Sequence, residues 1–424
     1  MARLAINGGP KTITVPFLPY NSIGRDEIEA ARCVLESGEL SKFFGSWNDR
    51  FYGGVKVQEF ERAWAKYFNV RYAVSFNSLT SGLIAAVGAI GVEPGDEVIV
   101  SPWTMAATAT SILVWNAIPV FSDIEEDTYN LDPESIGRNI TERTKAIVVP
   151  DIFGHPADLE RIMTIAQKYN LRVIEDAAQS PNSLYKGKFT GTVAHIGGYS
   201  LNYHKHIHTG EGGVAVTDDD RLAERMQLIR NHAEAVVGPK GVTDISNMIG
   251  FNFRMGEIEA AIGIEQLKKM PRLTTMRTST GTMLTEALKG LKGLETPIVK
   301  KDCTHVYYVY PFKIKSEIAG VSREKIVAAL QAEGVPWIYS GYQLLHLLPM
   351  FQKKIAYGTK GFPWHSSIYR GNVSYEKGVC PVAERLHEKE LVCLQICQHN
   401  YSEEETKLVI EAFYKVWNNM EELK

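Results

Sequence analysis

Between residues 70 and 220 short apolar runs alternate with stretches whose apolar positions recur every three or four residues. The runs at 72–76, 97–100, 119–122, 145–149, 172–174, 195–201 and 213–217 read as strands, and 81–90, 106–115 and 157–169 as helices between them. Strands that are apolar on both faces and alternate with helices predict a mostly parallel seven-stranded sheet covered on both sides, an α/β domain. Upstream, 25–35 and 57–68 carry helical spacing, and Gly8, Gly9, Pro10, Pro16 and Pro19 make the first twenty residues an irregular arm, of a kind that often lies across a partner subunit. Downstream, a helical pattern over 255–266 stops near Pro271 and resumes over 274–291. Alternation at 306–314 predicts a strand, 323–333 a helix and 403–417 an amphipathic helix, so this part reads as a smaller α+β domain. The aromatic-rich stretch 342–375, with Gly358, Gly361 and Pro363, has little periodicity and is expected to be a long functional loop. The division is an arm at 1–20, a large domain at 21–255, and a linking helix with a small domain at 256–424.

Composition narrows the class. The 424 residues are 45% hydrophobic and 22% charged, an ordinary globular balance. A net charge of -3 gives no reason to expect nucleic acid or an anionic membrane as partner. The longest apolar stretch, 104–121, contains Thr108, Thr110, Ser111, Asn116 and Pro119 and reads as a buried helix and strand rather than a membrane span. Gly-Gly-Pro stands where a signal peptide needs an apolar run, and the five scattered cysteines show no paired metal spacing. The expectation is a cytoplasmic protein with reduced thiols and no metal.

The chemistry centres on Lys205, in a histidine-rich loop between two strand candidates, with Gly197-Gly198 before it and Gly210, Gly212 and Gly213 after it. A lysine serves as a Schiff-base amine only where its charge is suppressed, and glycines mark sharp turns or close approach to a ligand. A charged surface loop is the plainer alternative. Asp176 ends a strand candidate, where a carboxylate in an open α/β sheet faces the ligand crevice and could keep a cofactor pyridine nitrogen protonated. It could equally cap the next helix. Asn77-Ser78-Leu79-Thr80-Ser81 places hydroxyls and free N–H groups at a helix start, suited to a phosphate or simply to capping. Gly210-x-Gly212-x-x-Ala215 formally matches a dinucleotide fingerprint, but it runs into an extended segment rather than a helix, against a nicotinamide-dependent dehydrogenase.

Several further stretches fall into one pattern: Gly8-Gly9-Pro10, Pro94-Gly95-Asp96-Glu97-Val98, Pro102-x-Thr104, Gly154-x-Pro156-x-Asp158, Glu175-Asp176-Ala177-Ala178-Gln179, the Lys205 to Gly213 loop and Asn252-x-Arg254. Together they resemble the DegT/StrS sugar aminotransferases, pyridoxal phosphate (PLP) enzymes of fold type I. The resemblance implies Lys205 as the covalent attachment, Asp176 at the pyridine nitrogen and Gln179 near the ring hydroxyl. Ser78, Thr80 and Ser200 would hold the phosphate, helped by Asn252 of a neighbouring subunit, which implies a homodimer with shared sites. Leu79 replaces a usual glycine in the phosphate loop. Met105 replaces an aromatic that stacks on the ring, leaving Trp103 as a substitute. The implied reaction passes an amino group from glutamate or glutamine to a nucleotide-linked keto sugar or a free keto-cyclitol. That acceptor is expected among His204, His206, His208, Tyr339, Tyr342 and His346, since hydroxyl-rich ligands need donors and acceptors at several edges. A sugar dehydratase of the same family, with histidine in place of the lysine, and a non-catalytic regulatory homologue are the alternatives.

Overall fold

The computed structural model describes residues 3–424. Helices α1 (Arg25–Ser37) and α2 (Val55–Phe68) lead into β1 (Tyr72–Phe76), and α3 (Leu79–Ala89) follows after a two-residue turn. Then come β2 (Glu97–Val100), α4 (Ala106–Val114), β3 (Ile118–Phe121), α5 (Pro133–Asn139), β4 (Thr144–Pro150), α6 (Leu159–Lys168) and β5 (Arg172–Asp176). A small hairpin, β6 (Leu184–Tyr185) with β7 (Lys188–Phe189), precedes β8 (Ile196–Ser200), β9 (Gly213–Thr217), α7 (Asp220–Arg230) and α8 (Ala233–Lys240). Seven strands form one sheet in the order β1-β9-β8-β5-β4-β2-β3. β9 runs antiparallel to both of its neighbours and the remaining pairs are parallel.

α3 can lie flat on this sheet because it is made of small and apolar residues, nearly all buried. A Cβ on Gly88 would come 2.2 Å from the Trp115 ring, so the glycine is what lets α3 and the end of α4 meet. The opposite sheet face packs on α2 and the helix α9 (Glu257–Leu288), through Phe60, Trp64, Tyr199, Val214, Leu267 and Met270. α9 is one helix straight through Pro271, where the sequence pattern places a break. Leu267, Met270, Leu273, Thr274 and Arg277 are buried in succession on its inner side, and that packing outweighs the ~3 kcal/mol cost of an interior proline.

The second sheet follows: β10 (Leu294–Glu295), β11 (Tyr310–Ile314), the short α10 (Ser316–Ala319), α11 (Arg323–Ala332), β12 (Ile338–Ser340), α12 (Pro349–Gln352), α13 (Pro381–Arg385), β13 (Leu391–Leu394) and α14 (Glu403–Asn418). Its order is β10-β11-β13-β12, all antiparallel. Leu284, Phe312, Leu330, Val409 and Phe413 bring the end of α9, the sheet, α11 and α14 into one core.

Two expectations change here. The strand expected from 306 begins only at Tyr310. Val306 and Val309 instead donate their N–H groups to Gly154 and Phe153 at 3.0 and 3.3 Å, so the loop after β4 captures this backbone before it can pair in a sheet. Most of 342–375 is a cover for the edge of the large sheet rather than a functional loop. Tyr375 donates to the Pro119 carbonyl at 2.7 Å, Tyr369 to Glu97 at 2.8 Å, and Phe351 packs edge-on to Phe121. The arm packs on its own chain. Leu4, Ile13 and Phe17 join the small-domain core, and the buried Glu333 carboxylate accepts from Ala5 N, Thr12 N and Thr12 Oγ1.

Candidate active site

The carboxyl ends of β5 and β8, the start of α3 and the 306–309 loop enclose a cavity of ≈ 290 Å³. Asp176, the last residue of β5, is only 6% exposed and looks into it. Its Oδ2 accepts from Thr108 Oγ1 at 2.8 Å and its Oδ1 from Ala178 N at 3.2 Å. Because Thr108 spends its one hydroxyl proton on Asp176, Thr104, 2.8 Å away, is the donor to Thr108. No helix follows Asp176, so capping is not its role. Burial pushes its pKa above the usual aspartate range, against the opposing pull of Thr108, Ala178 and the Lys205 charge.

Lys205 faces the same cavity from the loop between β8 and β9. Backbone bonds from Leu201 N to Gly212 O at 2.9 Å and from Thr209 N to Leu201 O at 3.0 Å close that loop, and Lys205 N donates to Asn202 O. Outside it, Arg277 Nη2 donates to the Lys205 carbonyl at 3.3 Å and Tyr20 Oη to that of His206 at 2.5 Å. The Lys205 side chain is 8% exposed, and its Nζ stands 4.2 Å from the centre of the Tyr308 ring. Burial lowers the amine from 10.5 to about 8, with Asp176 partly restoring the charge.

At the other end Ser78 caps α3, accepting from Ser81 N at 3.1 Å, while Leu79 and Thr80 supply the free first-turn N–H groups of the helix. Gly213 makes this turn possible. A Cβ there would meet Leu79 N at 2.4 Å and Ser78 C at 2.6 Å, so β9 can press on the helix start only as glycine. Ser78, Leu79, Thr80 and Ser200 all line the cavity. The cavity wall therefore carries a lysine, a carboxylate and the free N–H groups of a helix start, groups of the kind that bind anions.

The sequence pattern of the DegT/DnrJ/EryC1/StrS aminotransferase family matches residues 45–375. The chain belongs to that family of PLP-dependent aminotransferases. Similar relatives include the spore coat polysaccharide biosynthesis protein SpsC of Bacillus subtilis, 33% identical over 84% of this chain and 91% of its own length. The L-glutamine:2-deoxy-scyllo-inosose aminotransferase of Streptomyces kanamyceticus is 30% identical over 98% of this chain and 97% of the relative. Among solved structures, an aminotransferase from Psychrobacter cryohalolentis superposes with a TM-score of 0.81 at 30% identity, over 96% of this chain and 100% of the other.

In this aminotransferase the remaining expected residues divide. Gln179 lines the cavity; its Oε1 accepts from Phe153 N at 2.8 Å, which leaves the Nε2 amide as the donor beside Tyr342. Met105, His204, Tyr339 and Tyr342 also line it. Trp103 does not: it is fully buried behind the wall, 5.9 Å from the Tyr342 ring. His206 is fully buried behind the wall with Nε2 on the Val306 carbonyl at 2.9 Å, and the His208 backbone N–H donates to Gln266 at the α9 side. His346 is buried against Glu384 at 2.9 Å, beneath the sheet-edge cover. Asn252 is exposed, lies outside this chain's cavity wall and accepts from Arg254 Nε at 2.7 Å. Five polar lining residues went unforeseen: Thr108, Asn202, Glu211, Tyr308 and Gln395. Only Thr108 left a trace, sitting one helical turn after Thr104 at the start of an apolar helix.

Proposed function

We propose that this aminotransferase moves the amino group of glutamine or glutamate onto the ketone of a free keto-cyclitol, with PLP held at Lys205. The observation that carries the reading is the cavity in which a lysine of lowered proton affinity shares its wall with a buried carboxylate. The donor set fits PLP: Asp176 for the pyridine nitrogen, the Gln179 amide for the ring hydroxyl, and Ser78, Thr80, Ser200 and the free N–H groups of α3 for the phosphate. Asn202 Oδ1 and His204 Nδ1, buried without a protein partner in the same wall, are further groups that a bound molecule would satisfy. PLP, when bound, supplies the electron sink that makes the donor α-carbon acidic.

The chain's own residues do the rest. An amine with a pKa of about 8 is both a nucleophile and an acceptor near neutral pH, so Lys205 Nζ can take up the α-carbon proton of the donor and return it. The Tyr308 ring holds that amine in place by its face. The Thr104–Thr108 relay keeps a proton donor on Asp176 and so favours its carboxylate form. Tyr308, Tyr339, Tyr342 and Gln395 crowd the acceptor side with aromatic faces and polar tips, which suits a ring bearing many hydroxyls.

One observation favours the cyclitol over a nucleotide-linked keto sugar. A diphosphate asks for arginines or lysines, and Lys205 is the one such cation on the cavity wall among the described residues. The dehydratase alternative needs a histidine at the lysine position; His204 also lines the cavity, but Lys205 is the residue that faces it from the loop centre with a lowered amine pKa. A homodimer belongs to the same proposal, supported by Asn252 being exposed and outside its own cavity wall, where it could serve a neighbouring copy. The test loads the enzyme with pyridoxamine phosphate and offers keto-cyclitols, nucleotide-linked keto sugars and ordinary α-keto acids, following the absorbance of the lysine-bound cofactor as it returns. Return with the keto-cyclitols is the expected result. Return with α-keto acids alone would overturn the sugar-like acceptor and leave the cofactor assignment standing.

A further inference from the structure

Behind the Lys205 loop, separate from the cavity above, Tyr20, Arg277, Thr280, Ile396, His399 and Tyr401 line a small cavity of ≈ 20 Å³. Arg277 is 6% exposed. One of its amino groups, Nη2, holds the Lys205 carbonyl, and its guanidinium lies 4.4 Å over the Tyr20 ring. Its Nε and Nη1 have no protein partner, and no carboxylate of the described residues pairs with it. Tyr401 Oη and His399 Nε2 are likewise buried without a partner, although the other His399 nitrogen is fixed on the Leu18 carbonyl at 3.2 Å. Unpaired buried polar atoms are individually uncommon, and an arginine buried with no counter-charge is rarer still. Four such atoms here belong to three residues of one cavity wall. The cavity shares Met276, Thr280 and Tyr401 with an open groove along α9, which gives a route from solvent.

We propose that this cavity binds a monovalent anion of halide size, chloride in practice, between the Arg277 guanidinium and the Tyr401 hydroxyl. The room suffices for one water-sized particle and excludes a phosphate or carboxylate group. A water could accept from the guanidinium, but it would leave the arginine charge uncompensated beside Lys205. An anion supplies that charge. It also offsets the repulsion that Arg277 exerts on the lysine amine, so halide occupancy would reach the catalytic loop without touching the catalytic cavity.

The experiment uses the cofactor-loaded protein. Crystals soaked in bromide should show an anomalous peak within hydrogen-bonding distance of Arg277 Nε or Nη1. In solution, replacing gluconate by chloride at a constant ionic strength of about 0.15 M should raise the thermal midpoint by about 2 °C. That shift should vanish in Arg277→Met and shrink in Tyr401→Phe. Should Arg277→Met fail to fold, Tyr401→Phe and the bromide crystals still decide. No peak at Arg277, with equal midpoints in both salts, means water alone and overturns the proposal. A peak without any chloride-dependent shift means binding at crystal concentration only, and overturns it too.

Discussion

Replacing Gly213 by alanine isolates the contact on which the anion cradle depends. The added Cβ would stand 2.4 Å from Leu79 N, 2.6 Å from Leu79 Cα and 2.6 Å from Ser78 C, all main-chain atoms that cannot rotate away. Ordinary contact needs about 3.5 Å, so β9 and the start of α3 must part by about 1 Å. Overpacking of this kind costs about 1–3 kcal/mol, and with backbone on both sides the upper end is expected. The same shift moves the free Leu79 and Thr80 N–H groups off the phosphate position. Losing one charge-assisted bond of about 1.5–3 kcal/mol would weaken PLP binding by tenfold or more. Two controls calibrate the result. Gly210→Ala has nothing within 4 Å and pays only for its φ of +84°, about 1 kcal/mol. Gly198→Ala meets only a Leu79 methyl at 2.7 Å, which a rotamer change relieves. Urea denaturation of the three cofactor-free variants and equilibrium dialysis against PLP give both numbers. If Gly213→Ala lies within about 0.5 kcal/mol of the parent and binds PLP equally well, the close approach of β9 to α3 is not what shapes the cradle.

Two other substitutions probe the charged pair. In the cofactor-free protein the Lys205 amine has a pKa of about 8 against 10.5 when unfolded, so the unfolded chain binds more protons between those values and stability rises with pH across that window. Lys205→Met should remove the rise and stabilise the apoprotein at pH 7 by up to about 3 kcal/mol; parallel stability profiles from pH 7 to pH 11 for the two proteins would refute the buried-amine argument. Asp176→Asn keeps one acceptor oxygen for the Ala178 N–H and turns an amide donor to the Thr108 hydroxyl, which can rotate to accept, but it carries no charge; it should retain PLP while slowing the single-turnover reaction with amino donor by about 10³-fold. An unchanged rate would reduce Asp176 to a structural acceptor.

The large sheet was legible because its strands are short β-branched runs set between helical patterns, and all seven lie where that alternation puts them. Asp176 followed from the same logic, since strand ends are where such sheets bind. Lys205 was legible through the glycines around it. Side-chain direction was not. His204 and His206 flank the lysine symmetrically in sequence, yet one enters the cavity and the other bonds to Val306 behind its wall, a choice made by the loop closure at Leu201 and Thr209. Tyr308 was hidden because its neighbours alternate like a strand, and only the contact with Phe153 and Gly154 diverts them. Pro271 misled for the opposite reason: a local penalty was overruled by burial that only the folded chain supplies.

The arm ties the first residues of the chain to the last. Leu4 N donates to Glu422, 418 positions away, Tyr20 N to Gln398 O, and Tyr20 in turn braces the outside of the lysine loop. At about 5–20 residues per second, a ribosome makes the arm tens of seconds before its docking surface exists. The large sheet and the lysine can be in place by then, but the brace cannot. A nascent chain that has not yet reached residue 398 therefore carries the reactive lysine on a loop without its outer support, and the stretch around Gln398 and Glu422 completes a wall that residues 4–20 began.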